Sequence, residues 1–148
     1  TGPDTSVLEI TDIYAMFWRL VDLQVHRYGS APTGELLIVL TIVLLDAVDS
    51  HPTVTELSDI TNMPKSSVSR YVSTEMGMGF VEEIIDPRDR RRRLLRPTQA
   101  AREELAWHRD QVLEIARMKR AAFARRGESS DAGAEMKTMM RKYSHGQA

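Results

Sequence analysis

Met63-Pro-Lys-Ser-Ser-Val-Ser-Arg-Tyr-Val-Ser-Thr-Glu-Met76 is followed, after a pair of glycines and a short apolar run, by Asp86-Pro-Arg-Asp-Arg-Arg-Arg-Arg93. Placed on a helix at about 100° per residue, Val68 at 0° has Val72 near 40°, Met76 near 80°, Glu75 near 340° and Tyr71 near 300°. Ser66 (about 160°), Arg70 (about 200°) and Ser73 (about 140°) fall opposite, flanked by Ser67, Ser69 and Thr74. One face is apolar, and the other carries short hydroxyls around a single Arg. A solvated surface helix more usually carries Glu and Lys pairs. Short hydroxyls let a backbone come close to phosphates, and one Arg can fork onto guanine O6 and N7. Lys65 and the unpaired amides of the first turn add a phosphate clamp. A Ser-rich helix with no partner is the plainer reading of this segment alone.

The second stretch weakens that plainer reading. Phe80-Val81 to Ile84-Ile85 is expected as a strand, Asp86 to Arg90 as a polar turn, and Arg92 to Arg96 as a returning strand closed by Pro97. The tip carries Arg88, Asp89, Arg90 and Arg91. An arginine-bearing β loop beside a recognition helix can reach the minor groove, where negative potential attracts guanidinium. Asp89, between Arg88 and Arg90, can hold a guanidinium extended before binding. A solubilising loop is the alternative for any such run.

Outward from this centre the chain reads as helical. Thr55 is expected to cap a short helix, Glu56 to Thr61, and Asn62 suits a left-handed turn. Pro64 is expected at the first position of the next helix, which Gly77 and Gly79 stop. Upstream, Ser6-Val-Leu-Glu9 has the form of a capping box. It opens a helix with apolar Ile10, Ile13, Tyr14, Phe17, Leu20 and Val21, ending near Gly29. Glu35 to Val48 reads as a second helix, buried on nearly all sides. Downstream, Thr98 caps a long helix reaching about Arg126, Gly127 to Ser130 breaks it, and Met136, Met139, Met140 and Tyr143 mark a last amphipathic helix. Core packing is the reading for these methionines, and Trp18 and Trp107 are expected at helix junctions.

The fold class is therefore mainly α with a small β-wing. Residues 34–97 form a winged helix-turn-helix lobe, flanked by dimerisation helices over 1–33 and 98–148. The apolar stripes of the terminal helices are too long for one small lobe to cover, which implies a homodimer.

Composition agrees. The 148 residues carry 20 basic and 21 acidic side chains, for a net charge of −1. The distribution matters more than the sum: residues 1–63 hold two basic and nine acidic side chains, and residues 88–96 hold six Arg. There is no Cys, which removes disulfides, thiolate chemistry and Cys-ligated zinc, and fits a cytoplasmic setting. The longest apolar run, Leu36 to Leu45, is well short of the roughly 20 residues of a bilayer span. No basic segment precedes it, so it is not a signal peptide, and no membrane partner is expected. His26, His51, His108 and His145 lack metal-ligand spacing, and no nucleophile or phosphate-loop motif occurs. No enzyme activity, metal or cofactor is expected.

From Thr53 to Glu103 the chain resembles the MarR family of bacterial transcription regulators. The resemblance runs through Thr55-Glu-Leu-Ser58, Met63-Pro-Lys-Ser-Ser-Val-Ser-Arg70, Gly79-Phe-Val81, Asp86-Pro-Arg-Asp-Arg-Arg91, Leu95, Thr98 and Ala100. The wing motif and its spacing to Thr98 are the specific part, and the flanking helices also fit the family's layout. The resemblance implies a homodimer with interlocking terminal helices that binds pseudo-palindromic double-stranded DNA, most often as a repressor. It implies the helix after Pro64 in the major groove, Arg91 in the minor groove and Asp89 as its partner. It also implies a small amphipathic or aromatic effector. The expected DNA-binding set is Lys65, Ser66, Ser67, Ser69, Arg70, Ser73, Thr74, Arg88, Asp89, Arg90 and Arg91. A second reading, a protein-interaction module of antirepressor type on the same fold, is motivated by the acidic N-terminal third and by Glu82-Glu83.

Overall fold

The computed structural model describes residues 10–124 and 132–143, with side chains over 12–118 and 133–142. The expected capping box at Ser6 to Glu9 and the break at Gly127 to Ser130 lie outside the described residues. The elements are α1 (Ile10–Arg27), α2 (Thr33–Asp46), α3 (Val54–Thr61), α4 (Lys65–Gly77), β1 (Val81–Ile85), β2 (Arg93–Pro97), α5 (Gln99–Ala124) and α6 (Ala132–Tyr143). The fold is mostly helical with a two-stranded antiparallel wing. The chain divides into two compact units, residues 31–105 and residues 1–30 with 106–148.

The first unit holds the helix-turn-helix and the wing. Its core is Ile38 and Ile42 of α2, Leu57 of α3, Val68 and Val72 of α4, Val81 of β1 and Leu95 of β2. Each comes from the apolar stripe of its own element, so the 3.6-residue and two-residue periods converge on one interior. The turn between α3 and α4 passes through Asn62 in the left-handed region (φ 55°). The Ser58 hydroxyl closes it by donating to the Met63 carbonyl at 2.6 Å.

Helix α4 ends in a Schellman arrangement. Phe80 N donates to Glu75 O (3.0 Å) and Gly79 N to Met76 O (3.1 Å), with Gly79 at φ 81°. That left-handed residue turns the chain directly into β1. The wing register pairs Val81 with Pro97 and Ile85 with Arg93. Thr98 then caps α5 as expected, its hydroxyl accepting from Ala101 N at 3.1 Å. The same hydroxyl donates to the Gly79 carbonyl at 2.6 Å, and Thr98 N donates to Phe80 O at 3.0 Å.

Four expectations need correction. The cap of α3 is Thr53, whose hydroxyl accepts from Glu56 N at 3.1 Å and donates to the Glu56 carboxylate at 3.3 Å. Thr53 is thus the N-cap of α3, and Thr55 lies one residue inside the helix. Pro64 is the N-cap of α4, not its first helical residue. Helix α2 is not buried on nearly all sides: Ile38 and Ile42 are, but Leu37 is 47% exposed and Leu44 69%. On the inner face of α4, Glu75 is buried while Met76 faces outward.

In the other unit, α1 contributes Trp18 to a cluster with Ile115 and Met118 of α5 and Met136 and Met139 of α6. Met136 and Met139 therefore pack, as their spacing implies. Arg19 is fully buried; its guanidinium donates to Asp22 Oδ2 (3.0 Å) and Gln111 Oε1 (2.9 Å). The Arg27 guanidinium lies 3.8 Å from the Trp107 ring centroid. On the opposite side of α1, Ile13, Tyr14, Phe17, Val21 and Val25 are exposed.

Candidate nucleic-acid interface

Burial sorts α4 into two faces. Val68 and Val72 are buried, whereas Lys65, Ser66, Ser69, Arg70, Ser73 and Thr74 are exposed and Ser67 is half-buried. The seven α4 residues expected to meet DNA thus share one helix, and six of them lie open to solvent. The Thr74 hydroxyl donates to the Arg70 carbonyl at 3.1 Å, leaving its lone pairs outward. The Arg70 guanidinium sits 5.2 Å from the Tyr71 ring centroid, within cation–π range. Helix α2 starts close against this region: a Cβ on Gly34 would meet Met63 Cε at 2.9 Å and the Tyr71 ring at 3.1 Å.

The wing tip is built from two Asx turns. Asp86 Oδ1 accepts from Arg88 N (2.9 Å), and Asp89 Oδ1 accepts from Arg91 N (3.0 Å). Asp89 therefore shapes the tip through the main chain and does not hold a guanidinium, as its position between two arginines had suggested. Arg88, Arg90, Arg91 and Arg93 are exposed and have no ion-pair partner among the described residues. Their charges are uncompensated at close range, as a phosphate-facing or groove-facing element requires.

Two acids near the wing are already neutralised. Arg96 Nε donates to Glu82 Oε1 at 2.8 Å across the hairpin, where the register places them opposite each other. Asp86, buried, accepts from Arg92 Nη1 at 3.2 Å, and the other arm of Arg92 reaches Glu56 on α3. The Glu56–Arg92–Asp86 link was not anticipated; in the sequence Arg92 is one of five similar arginines.

A second unanticipated feature lies beneath α4. Glu75 and Glu35 are both buried. Burial, then the charge on Glu35, pushes the Glu75 carboxyl up to about 7, and burial raises Glu35 as well. The helical angle of Glu75, between Val72 and Tyr71, was the available signal.

Among the described residues no group of three or more His, Asp or Glu is placed to hold a metal. His51 Nε2 lies 3.0 Å from Asp46 Oδ1, and His108 Nε2 2.8 Å from the Tyr28 hydroxyl. His145 is outside the described residues. No described helix is long and apolar enough to cross a membrane.

Comparison with known proteins locates the fold. A family model of the IclR helix-turn-helix domain matches residues 41–84, ending before the wing tip. No curated protein sequence matches the chain. Among solved structures, a mutant of S. aureus MepR bound to an oligodeoxyribonucleotide is similar with TM-score 0.55 and 11% identity, over 92% of this chain and 96% of that one. A transcriptional regulator from Thermotoga maritima is similar with TM-score 0.52 and 22% identity, over 88% and 91%. A mutant of E. coli MarR complexed with operator DNA is similar with TM-score 0.51 and 14% identity, over 88% of each. These structural neighbours are MarR-family winged-helix regulators, and the chain has their winged-helix fold.

Proposed function

We propose that the chain is a sequence-specific, double-stranded-DNA-binding transcription regulator. The observation that carries this reading is the exposed hydroxyl and Arg70 face of α4 on the same compact lobe as four uncompensated wing arginines. Two neighbours of the same fold were solved with DNA bound. On this reading α4 enters the major groove through Arg70 and its flanking hydroxyls, and Arg90 and Arg91 reach the minor groove.

The protein acts as a homodimer in this proposal. The stripe Ile13, Tyr14, Phe17 and Val21 runs along one exposed side of α1, with Phe17 62% and Tyr14 66% open to solvent. Such a stripe on a soluble chain marks an interface. A two-fold dimer presents two equivalent helices, so its sites are pseudo-palindromes with half-sites about 34–36 Å apart. Action as a repressor, and release by a small amphipathic or aromatic effector, rest on the family resemblance alone.

Mobility shift of duplex DNA at several salt concentrations tests the reading. Binding with a log–log salt slope of about −0.9 per neutralised phosphate supports it. A flat response favours the protein-interaction module. That alternative loses part of its support in the structure, because Glu82 is paired with Arg96.

A further inference from the structure

Five consecutive-looking arginines in the wing do not have one job. Four are exposed and unpaired among the described residues, as set out above. Arg92 is turned back onto the lobe, its guanidinium spanning two carboxylates from different elements. Nη1 lies 3.2 Å from Asp86 Oδ2 at the base of the tip, and Nη2 meets Glu56 Oε1 on α3. Neither acceptor is loose. The other oxygen of Asp86 accepts from Arg88 N, and Glu56 Oε1 also accepts from the Thr53 hydroxyl that caps α3. The main chain of Arg92 closes the tip too, with Arg92 N donating to Asp89 O at 2.9 Å and Asp86 N donating to Arg92 O at 3.1 Å.

We propose that Arg92 is a positioning residue that straps the wing to α3 through Asp86 and Glu56, and so presets where the tip arginines reach. The inference rests on the DNA-binding reading for its consequence, but its physical content is testable without DNA. A two-stranded hairpin holds little fixed shape by itself. Besides the packing of Val81 and Leu95 in the core, its pose against the lobe depends on the few bonds that cross to it, such as Leu95 N to the Pro52 carbonyl ahead of α3 at 2.8 Å and the Arg92 fork. The planar fork of Arg can serve two acceptors at once in fixed geometry; Lys, a single point charge, cannot. With both arms engaged by local acids, Arg92 is poorly placed to serve as a phosphate contact itself.

Glu56 gives the decisive sign. Removing an acid near DNA ordinarily tightens binding, because it removes repulsion from phosphate. Removing Glu56 as a strap anchor weakens whatever the wing contributes.

The experiment compares wild type with Arg92→Ala, Arg92→Lys, Glu56→Gln and the double variant Arg92→Ala/Glu56→Gln, after thermal melts show that each folds. The DNA probe is a duplex selected from a random pool by the wild-type protein, made with A·T-rich or G·C-rich flanks. Wild type is expected to prefer the A·T-rich flanks. Arg92→Ala and Glu56→Gln each reduce that preference about threefold to tenfold, Arg92→Lys retains part of it, and the double variant is no worse than either single one. Glu56→Gln binding more tightly with the flank preference intact overturns the proposal and makes Arg92 a phosphate contact. The DNA-free arm is limited trypsin digestion of the intact protein. Cleavage after Arg88, Arg90 and Arg91 is expected to run several-fold faster in Arg92→Ala and Glu56→Gln than in wild type. Equal cleavage rates overturn the strap even if wild type binds no duplex, an outcome that separately removes the DNA-binding reading.

Discussion

The carboxylates of Glu75 on α4 and Glu35 on α2 are buried together, and the charge on one raises the proton affinity of the other. Among the described residues neither has a basic partner. The helix that carries the candidate DNA-reading face is thus anchored over a site that prefers to hold a proton.

That preference makes stability fall with rising pH. Glu75 titrates near 7 in the folded chain and near 4.5 when unfolded. Between those values the folded state binds the proton more tightly, so its stabilising effect is complete below 4.5 and is lost as pH rises through 7. Glu75→Gln is expected to melt higher than wild type at pH 8 and to flatten the decline between pH 5 and pH 8, measured by paired thermal melts. Parallel curves for the two proteins would show that Glu75 does not titrate in this window.

The cap assignment is tested by two neighbouring threonines. Thr53→Ala removes the side-chain acceptor for Glu56 N and should cost about 1 kcal/mol in urea unfolding. Thr55, exposed within the first turn, should change stability by less than about 0.5 kcal/mol on replacement by Ala. The reverse order would restore Thr55 as the cap.

Core contributions follow burial. Leu57 has no exposed surface and sits where α3 meets α2 and α4. Leu57→Ala should destabilise by about 2–5 kcal/mol, read from the urea midpoint at unchanged m. Leu44→Ala, at an exposed position on α2, should cost far less in a monomeric state.

The two elements proposed to read DNA should separate in a selection-based binding profile. Arg70→Ala is expected to cost about 1–3 kcal/mol and to relax preference at one base pair per half-site. Arg91→Ala should weaken binding across many sequences, most at narrow A·T-rich flanks, and reduce the salt slope. Altered core preference in Arg91→Ala with none in Arg70→Ala would exchange their roles.

The dimer proposal has a direct test on α1. Phe17→Glu places a charge in the exposed apolar stripe and should shift sedimentation from dimer to monomer. A wild-type protein that already sediments as a folded monomer at micromolar concentration would remove the proposal.

The sequence made local periodicity legible and left non-local pairing hidden. Val68 and Val72 turn inward and Ser66, Arg70 and Ser73 outward because a single helix sets their angles. Thr98 as a cap and Asn62 as a left-handed turn are likewise decisions of a few adjacent residues. Thr53 carried the N-cap of α3 in plain sight, but a second Thr two positions on offered a competing start. Arg92 could not be told from Arg90 or Arg91, because its acceptor on α3 is far away in the chain. The same holds for Glu35 and Glu75, whose meeting depends on how α2 crosses α4. Helix α2 misled for a related reason: a run of apolar residues does not say which of its sides the lobe covers.

Thr98 joins its own amide and hydroxyl to Phe80 and Gly79, so the stem of the wing is stapled shut independently of its tip. The residues between Asp86 and Arg92 are therefore an exchangeable cassette. Substitution there leaves the end of α4 and the start of α5 in register, so on the DNA-binding proposal the favoured sites can change without refolding the lobe.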